Sequence, residues 1–387
     1  MDGVAISGAN AKANQVRGNL IGTNATGDAA VPNDTGVSIS NQSSDNLIGG
    51  PFGGETRNLI SGNRSDGIFI GPDATRNKVQ GNFIGTDLNG DLPLGNGLNG
   101  VEIQGNKNLI GGTDSQGLHP GNLISSNASG VAILGGSGNQ VQGNDIGTSF
   151  LGLPLGNGGA GVVISSFSSM VGANNTIGGK DAGAGNMITN NIGSGVVLTP
   201  DAGSGNAILA NSIFSNAKLG IDLGNDGVTQ NDSKGHTGPN HFENFPILSS
   251  ATSDNTDITI KGTIDNLANI QFRLEFFANT KCDPSRNGQG QKFIFSTSVT
   301  TVGSFSVHFP DPGSTLGFIT ATVTTDPDND TSEFSACVPI TSTTGCQGTM
   351  TVRAVDRLPW QCLNYLLRQL LYSIELSHPP APSTLAS

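Results

Sequence analysis

The residues of this sequence that could do chemistry are mostly acids grouped with amides. The stretch GIDLGNDGVTQND holds Asp222, Asp226 and Asp232, with Asn225 and Asn231 between them. Carboxylate and amide oxygens are the hard ligands that Ca²⁺ prefers. We therefore consider a calcium site in this stretch. Ordinary turn chemistry is the interpretation we prefer, because Asp and Asn side chains also bond to local backbone in turns, and the calcium site is the hypothesis beside it.

Two shorter acidic groups offer the same kind of oxygen ligand. They are a loop with Asp87, Asn89 and Asp91, and a turn with Asp326, Asp328, Asp330 and Glu333. Weaker calcium sites at both are hypotheses, and turn chemistry is again the interpretation we prefer. The loop and the stretch above lack the spacing of an EF-hand or of a calcium-binding nonapeptide repeat. Nothing in the sequence requires a cofactor, and the His and Cys residues show no zinc spacing.

A repeated apolar pattern organises most of the chain before residue 230. A unit begins with Gly-Val-x-Ile or its variant and continues with two short apolar segments of the form Asn-x-Ile. We call each of these three segments a beat. Each beat is too short for a helix and is bounded by Gly or Asn, so we predict three brief strands per unit. Self-similarity at a period of about 30 to 34 residues indicates a solenoid. The first beat of the unit, Gly-Val-x-Ile or its variant, recurs at 3–6, 36–39, 67–70, 100–103, 130–133, 161–164, 195–198 and 220–223.

The long polar loops and the asparagines follow the same repeat. Two kinds of unit alternate with a double period of about 64 residues, so we expect the long loops at two places that alternate from coil to coil. Asn favours turns, and in stacked coils its side chains would form amide ladders. The matching positions are Asn19, Asn46, Asn58, Asn77, Asn82, Asn108, Asn122, Asn139, Asn144 and Asn186.

These units resemble the parallel β-helix repeats of large secreted or surface-attached bacterial proteins. The resemblance rests on the Gly-Val-x-Ile and Asn-x-Ile beats and covers about the first 230 residues. It implies an all-β chain that begins with a right-handed parallel β-helix of about seven coils, a rod about 35 Å long. It implies no single activity, because pectate lyases, polygalacturonases, alginate epimerases, adhesins and phage tailspikes share the fold.

Enzymes of this fold use carboxylates on one outer face, often with Ca²⁺ and a basic residue. Glycoside hydrolysis needs two carboxylates about 5 to 9.5 Å apart. When the outward positions of the beats are aligned, Glu102 and Asp145 are isolated, and no two acids stack on adjacent coils. The fragment Gly-His-Thr at 235–237 is the nearest approach to the Gly-His-Gly of polygalacturonase-like enzymes. We therefore predict no catalytic residue, although loop acids could still assemble a site.

A second rhythm begins after the repeat stops at Asp232. Alternating strands separated by turns indicate an antiparallel β-sandwich of immunoglobulin-like type. The segments FRLEFFANTKCDP and TATVTTDPDNDTSEFSACV also resemble the small sandwich modules that follow such repeats in bacterial surface proteins. We place the β-helix at residues 1–245 and the sandwich at 246–341. The predicted sandwich strands are 257–264, 272–278, 292–301, 304–309, 318–325 and 332–340.

The predicted sandwich contains two cysteines, Cys282 and Cys337. We predict a disulfide between them, with two buried thiols as the alternative. Disulfides persist in oxidising compartments, so this bond would place the protein outside the cell or at the cell surface.

Residues 342–387 differ from the rest of the chain in composition. The single Trp and both Tyr lie here. The segment WQCLNYLLRQLLYSIEL has apolar residues at helical spacing and could form an amphipathic helix for a partner or a membrane surface. We prefer an unrelated, poorly ordered tail without function. At the other end, MDGVAIS enters the first repeat without a signal peptide, so we expect a longer multidomain protein.

The charge balance bears on the partners. The formal net charge is -12, with only 18 Lys and Arg, which argues against nucleic acid because phosphates need cationic partners. No apolar run is long enough to span a bilayer. The leading hypothesis is a non-enzymatic fragment of an exported bacterial surface or secreted protein. Its rod would present loops to a polysaccharide or to a host or cell-surface ligand. The alternatives are a polysaccharide lyase, hydrolase or epimerase, and a carbohydrate-binding rod without catalysis.

Overall fold

The fold is all-β, which confirms the predicted parallel β-helix followed by a β-sandwich. The computed structural model describes residues 1–51, 54–113, 120–232, 237–265, 270–300, 303–311 and 317–342. The predicted tail beyond Ser342 and the predicted fragment around His236 lie outside the described residues. The division into domains at residue 246 stays a prediction.

Short strands follow one another in threes along the β-helix, one strand for each beat of the sequence repeat. Their tight spacing leaves room only for turns and polar loops between them. Their bounds are β1 Val4–Ser7, β2 Gln15–Val16, β3 Leu20–Ile21, β4 Val37–Ser40, β5 Leu47–Gly49, β6 Leu59–Ile60, β7 Ile68–Ile70, β8 Lys78–Gln80, β9 Phe83–Ile84, β10 Asn99–Ile103, β11 Leu109–Gly111, β12 Leu123–Ile124, β13 Ser129–Leu134, β14 Gln140–Gln142, β15 Asp145–Ile146, β16 Val162–Ser165, β17 Thr176–Gly178, β18 Met187–Thr189, β19 Val196–Leu198, β20 Ala207–Leu209, β21 Ser212–Phe214 and β22 Ile221–Leu223.

The three strands of each unit belong to three different parallel sheets. The first sheet has the order β1-β4-β7-β10-β13-β16-β19-β22, the second β2-β5-β8-β11-β14-β17-β20, and the third β3-β6-β9-β12-β15-β18-β21. The strands pair in the register that the repeat predicts, so that Ile70 lies between Ile39 and Ile103. Seven or eight strands per sheet correspond to the predicted number of coils.

Apolar side chains of the same kind stack inside the rod. Because side chains alternate across a strand, the Val and Ile of each beat point inward and the residue between them points outward. Ile39, Ile70 and Ile103 are fully buried. Burying one such side chain contributes about 1.5 to 3 kcal/mol. Each coil therefore adds a similar layer to one continuous core.

Three columns of asparagine side chains run along the turns of the rod, which confirms the predicted amide ladders. In each column the Nδ2 of one Asn donates to the Oδ1 of the Asn in the next coil, at 2.8 to 3.3 Å. The sequence comparison found members of the first two columns and missed the third. The columns are Asn14, Asn46, Asn77, Asn108, Asn139, Asn175 and Asn206; Asn19, Asn58, Asn82, Asn122, Asn144, Asn186 and Asn211; and Asn33, Asn63, Asn96, Asn127, Asn157, Asn191 and Asn216.

The long loops alternate between two places, as predicted. They follow β3, β9 and β15 in one set of coils, and β5, β11 and β17 in the coils between. The first set folds over the third sheet, where the rings of Phe83 and Phe150 lie 5.5 Å apart. A Cβ atom on Gly90 would lie only 2.8 Å from an atom of Phe83 and 2.8 Å from an atom of Phe150. Gly90 also has a φ of 82°. Close approach and backbone conformation both require glycine at this turn.

The outer side of the third sheet carries a second, smaller core. Leu59, Phe83 and Leu123 hold outward positions in the repeat, yet at most 5% of each is exposed. The guanidinium carbon of Arg57 lies 3.8 Å from the centroid of the Phe83 ring, a cation-π contact above the same cluster. The loops therefore cover a surface that the strand pattern alone would leave in water.

Seven strands form the second part of the fold within the residues that the structure describes. Their bounds are β23 Ile247–Ser253, β24 Asp257–Ile264, β25 Gln271–Asn279, β26 Lys292–Val299, β27 Gly303–Pro310, β28 Phe318–Asp326 and β29 Val338–Ser342. The order is β26-β25-β28-β29-β23-β24-β27, and neighbours are antiparallel except β23 and β29, which are parallel. Strand β29 pairs first with β28 and then with β23, so it joins the two faces of the sandwich.

The sandwich strands require two corrections to the sequence prediction. Strand β23 was missed, because its sequence ILSSATS is rich in small polar residues and follows a proline. The predicted strand 332–340 begins only at Val338, because residues 332–336 turn toward the rod instead. The predicted disulfide is confirmed, with the Cα atoms of Cys282 and Cys337 5.9 Å apart.

Candidate functional site

The sandwich covers the strand edges of the last coil. The edge of a sheet leaves backbone N–H and C=O groups without partners. Here the N–H of Ile208 donates to Thr331 Oγ1 at 2.9 Å, and the N–H of Leu223 donates to Glu333 Oε1 at 2.9 Å. Ile213 and Gly290 exchange two backbone hydrogen bonds at 2.8 and 2.7 Å. All three sheets of the rod are therefore capped by the sandwich.

The sandwich also extends one amide ladder and the apolar core. The N–H and Nδ2 of Asn216 both donate to Gln289 Oε1, at 3.0 and 3.2 Å, so a sandwich glutamine takes the next place in the third column. Phe277 and Phe334 belong to the core cluster of the rod, and their rings meet edge to face at 5.2 Å. The sandwich thus plugs the open end of the rod.

The acidic turn that was predicted to bind Ca²⁺ supplies two of these cap contacts. Asp330 and Glu333 are at most 3% exposed. Asp330 Oδ1 accepts the N–H of Gly205 at 2.6 Å, and its Oδ2 lies 2.7 Å from His241 Nδ1. Asp326 and Asp328 remain exposed. Two of the four predicted ligands therefore bind backbone amides and a histidine of the rod and linker.

Glu333 is a buried acid of the cap that binds two backbone amides of the rod and linker. Its Oε1 accepts the Leu223 N–H, and its Oε2 accepts the Thr229 N–H at 3.0 Å. Burial raises the pKa of Glu333 to about 8, opposed by these two amides and assisted by the negative charge of Asp222. Glu275, also buried, accepts the Ala210 N–H at 2.7 Å, and burial raises its pKa as well.

The predicted calcium ligands around Asp222 are only partly brought together. Asp222 is buried, with Oδ2 accepting from Ser194 Oγ at 3.1 Å and Oδ1 accepting the Gly227 N–H at 3.3 Å. Asp222 and Asp226 both line a cavity of about 890 Å³ beside the sandwich, and Asp232 does not. Asn231 is held by hydrogen bonds to the backbone of Phe245.

The predicted ligands in the loop 87–91 stabilise their own turn. Asp87 Oδ1 accepts the N–H groups of Asp91 and Leu92 at 2.8 and 3.0 Å, and Asn89 Nδ2 lies 3.4 Å from Asp87 Oδ2. Asp91 Oδ1 accepts the N–H of Leu151 at 3.3 Å. Within the described ranges, no group of three or more His, Cys, Asp or Glu is arranged to hold a metal ion. Calcium binding stays a prediction.

Two carboxylates on adjacent coils share one asparagine, and sequence reasoning missed this pair. Asn99 Nδ2 donates to Asp66 Oδ1 and to Glu102 Oε2, both at 3.0 Å. The two oxygens are therefore at most about 6 Å apart, and the two carboxyl groups of retaining glycosidases are about 5 to 5.5 Å apart. Glu102 lies on β10, and Asp66 lies just before β7, outside the strand positions that the repeat alignment compared.

Both members of this pair are partly or fully buried. Asp66 is 7% exposed, and burial raises its pKa. Burial, and then the nearby Asp66 carboxylate, raise the pKa of Glu102. Gln104 Nε2 donates to Glu102 Oε1 at 2.8 Å. A carboxyl group with a raised pKa can serve as a proton donor near neutral pH.

The chain matches no protein-family model and no curated protein. In the part of the chain that the structure describes, no helix is both long and apolar enough to cross a membrane. The fold itself, a parallel β-helix capped by a β-sandwich, is compatible with several functions. The function is therefore argued from the surfaces and sites of the chain.

Proposed function

We propose that the protein is a rigid, non-enzymatic rod of an exported bacterial surface or secreted protein, and that it presents its long loops to an adhesive or scaffolding partner. The observation that carries the proposal is a ridge formed by the loops 24–31, 87–92 and 149–153, which we call the loop ridge. Its exposed apolar side chains are Val31 59%, Leu88 46%, Leu92 62%, Phe150 60%, Leu151 70% and Leu153 60%.

The loops of the ridge are joined to one another. The N–H of Leu88 donates to Gly27 O at 3.0 Å, and the N–H of Phe150 donates to Gly90 O at 2.9 Å. These hydrogen bonds therefore hold the loops of the ridge in fixed positions on the rod. Contiguous exposed apolar surface on an ordered protein is typical of an interaction site.

The cap and the disulfide support the same proposal. Hydrogen bonds at all three sheet edges and a shared core hold the sandwich to the last coil, so rod and sandwich act as one stiff body. The Cys282–Cys337 disulfide suits an oxidising environment outside the cytoplasm.

Adhesion of the full chain tests this proposal. The protein is expected to be retained on at least one of a panel of immobilised polysaccharides or cell monolayers. Substitution of Phe150, Leu151 and Leu153 together by serine should remove most of the retention, because it replaces the largest exposed apolar area of the ridge. Retention is measured by label recovered after washing.

Ile192→Ser is the matched control, since Ile192 is 64% exposed but lies outside the ridge. This variant should bind like the parent chain. Equal loss in both variants, or retention on none of the surfaces, would contradict the proposal.

Glycoside hydrolysis is a second candidate function, and the Asp66–Glu102 pair is the observation that favours it. Glu102, with its raised pKa, would be the general acid. Asp66 would act as the second carboxylate. Asn99 and Gln104 would hold the pair in place.

A screen for new reducing ends and unsaturated products decides between the two functions. Under the rod proposal, the full chain gives no product from polygalacturonate, alginate or neutral polysaccharides, with or without Ca²⁺. Under the second candidate, one substrate is cleaved and Glu102→Gln slows cleavage by about 10² to 10⁴, the usual contribution of a general acid. The exposed Glu55→Gln is the control and should leave any cleavage unchanged. Cleavage that survives Glu102→Gln excludes this pair as its source.

A further inference from the structure

The cavity of about 890 Å³ at the junction is built by both parts of the fold. Residues 214–219, Asp222 and residues 225–227 of the rod form one wall, and residues 279–285 with Gln289 and Gln291 form the other. Ligand sites of small molecules commonly lie between domains and measure about 300 to 1,000 Å³. The junction cavity has the size and the place of such a site.

The floor of the cavity is polar and fixed. Asn216, Asn279 and Gln289 line it and are between 5 and 8% exposed. Gln289 Nε2 donates to Asp283 Oδ2 at 2.8 Å, and Asn279 Oδ1 accepts the Gln291 N–H at 2.8 Å. These hydrogen bonds set the orientation of the amides before any ligand arrives, which lowers the entropic cost of binding.

The rim, in contrast, has polar side chains without partners. Lys218, Asn225, Asp226 and Lys281 line the cavity and are exposed. Their side chains make no hydrogen bond or ion pair to any residue in the described ranges. Two cationic donors, one carboxylate acceptor and one amide are therefore free to bind a ligand.

The lining favours a neutral ligand rich in hydroxyl groups. Three Asp and two Lys line the cavity, so the formal charges nearly cancel and a phosphate or uronate gains little there. A hydroxyl group both donates and accepts, so it can pair with Asp226, Asn225 and the lysines alike. Phe214 adds a half-buried ring, a surface on which the C–H face of a sugar can pack.

We propose that the junction cavity binds a short neutral oligosaccharide. This inference goes beyond the proposed rod function, because neither the loop ridge nor the Asp66–Glu102 pair lies in the cavity. The ligand would contact the last coil through Asn225 and Asp226 and the sandwich through Lys281. It would then bridge the two parts and strengthen the cap.

Calorimetric titration of the full chain tests the proposal. The probes are the neutral trisaccharides of cellulose, chitin, xylan, mannan and starch, with trigalacturonate as the anionic comparison. At least one neutral trisaccharide should bind saturably at one site and about tenfold more tightly than trigalacturonate. The double variant Asn225→Ala, Asp226→Ala should weaken binding by about tenfold or more, because two ligand hydrogen bonds are lost.

Asp73→Ala is the control, because Asp73 is exposed on another part of the rod, and it should bind like the parent chain. The side chains of Asn225 and Asp226 are both exposed, but Asn225 has a φ of 57°, a conformation that alanine adopts less readily than asparagine. The melting temperature of the double variant is therefore measured first, and binding is compared well below it. Failure of every neutral trisaccharide to bind would overturn the proposal, and so would binding that the double variant leaves unchanged. Loss of retention in the ridge variant with intact trisaccharide binding would separate this site from the rod function.

Discussion

Replacing Asn122 with alanine is expected to lower the free energy of unfolding by about 3 to 5 kcal/mol, because it leaves buried hydrogen-bonding groups on both neighbouring coils without partners. Asn122 Oδ1 accepts the N–H and Nδ2 of Asn82, at 3.0 and 2.9 Å. Its Nδ2 donates to Val79 O at 2.8 Å and to Asn144 Oδ1 at 2.9 Å. Asn122 is 1% exposed, so water cannot replace these partners without opening the coil.

Chemical denaturation followed by far-ultraviolet circular dichroism measures this loss. Asn19→Ala is the matched control, because Asn19 belongs to the same column but lies exposed at its first position. It donates to Asn58 Oδ1 at 3.0 Å, and water can take over that bond. The control should cost less than about 1 kcal/mol. Similar losses in the two variants would mean that the ladder does not stabilise the rod through buried hydrogen bonding.

The rod could be predicted from sequence because its contacts repeat. Ile39, Ile70 and Ile103 occupy the same place in successive units, and stacking them in register is the arrangement that buries each one. The alternating loop positions follow from the two kinds of unit. Cys282 and Cys337 could be paired because the predicted sandwich contains no other cysteine.

The cap could not be predicted, since its contacts occur once and join distant parts of the chain. The segment around Phe334 alternates like a strand, but Phe334 packs into the core of the rod. A local pattern shows that a side chain prefers burial and cannot show which core buries it. Glu333 likewise lies in a segment with the composition of a turn. Its hydrogen-bond partners Leu223 and Thr229 lie more than 100 positions earlier in the sequence.

The candidate sites were missed for a related reason. Asp66 lies in the loop before β7, and only the coil geometry brings it to Asn99 and Glu102. Leu59 and Phe83 occupy outward positions, and only the folded loops show that they are covered. The alternation of side chains along a strand predicts which of its residues point inward and which point outward. The positions of loop residues depend on tertiary contacts that this alternation does not predict.

The stability of the cap is expected to fall as pH rises from 5 to 8, and Glu333 is the reason. The ordinary pKa of 4.5 applies to the unfolded chain, and burial raises the folded pKa to about 8. Below pH 4.5 the carboxyl is protonated in both states, and its full contribution to stability is present. Between the two values the unfolded chain releases the proton and the folded chain keeps it. Each pH unit in that interval therefore costs up to about 1.4 kcal/mol, and the loss ends above about pH 8.

Glu333→Gln isolates this effect, because an amide of the same size stays neutral at every pH. Glu275 is buried and has a raised pKa as well. The stability of the variant should therefore still fall as pH rises, but without the contribution that Glu333 makes to this fall. Denaturation midpoints of the parent and the variant are measured from pH 5 to pH 9 at constant ionic strength. The variant should lose less stability across that range, and its difference from the parent should level off above pH 8. Parallel curves would mean that Glu333 is ionised throughout, and that the two amides of Leu223 and Thr229 outweigh its burial.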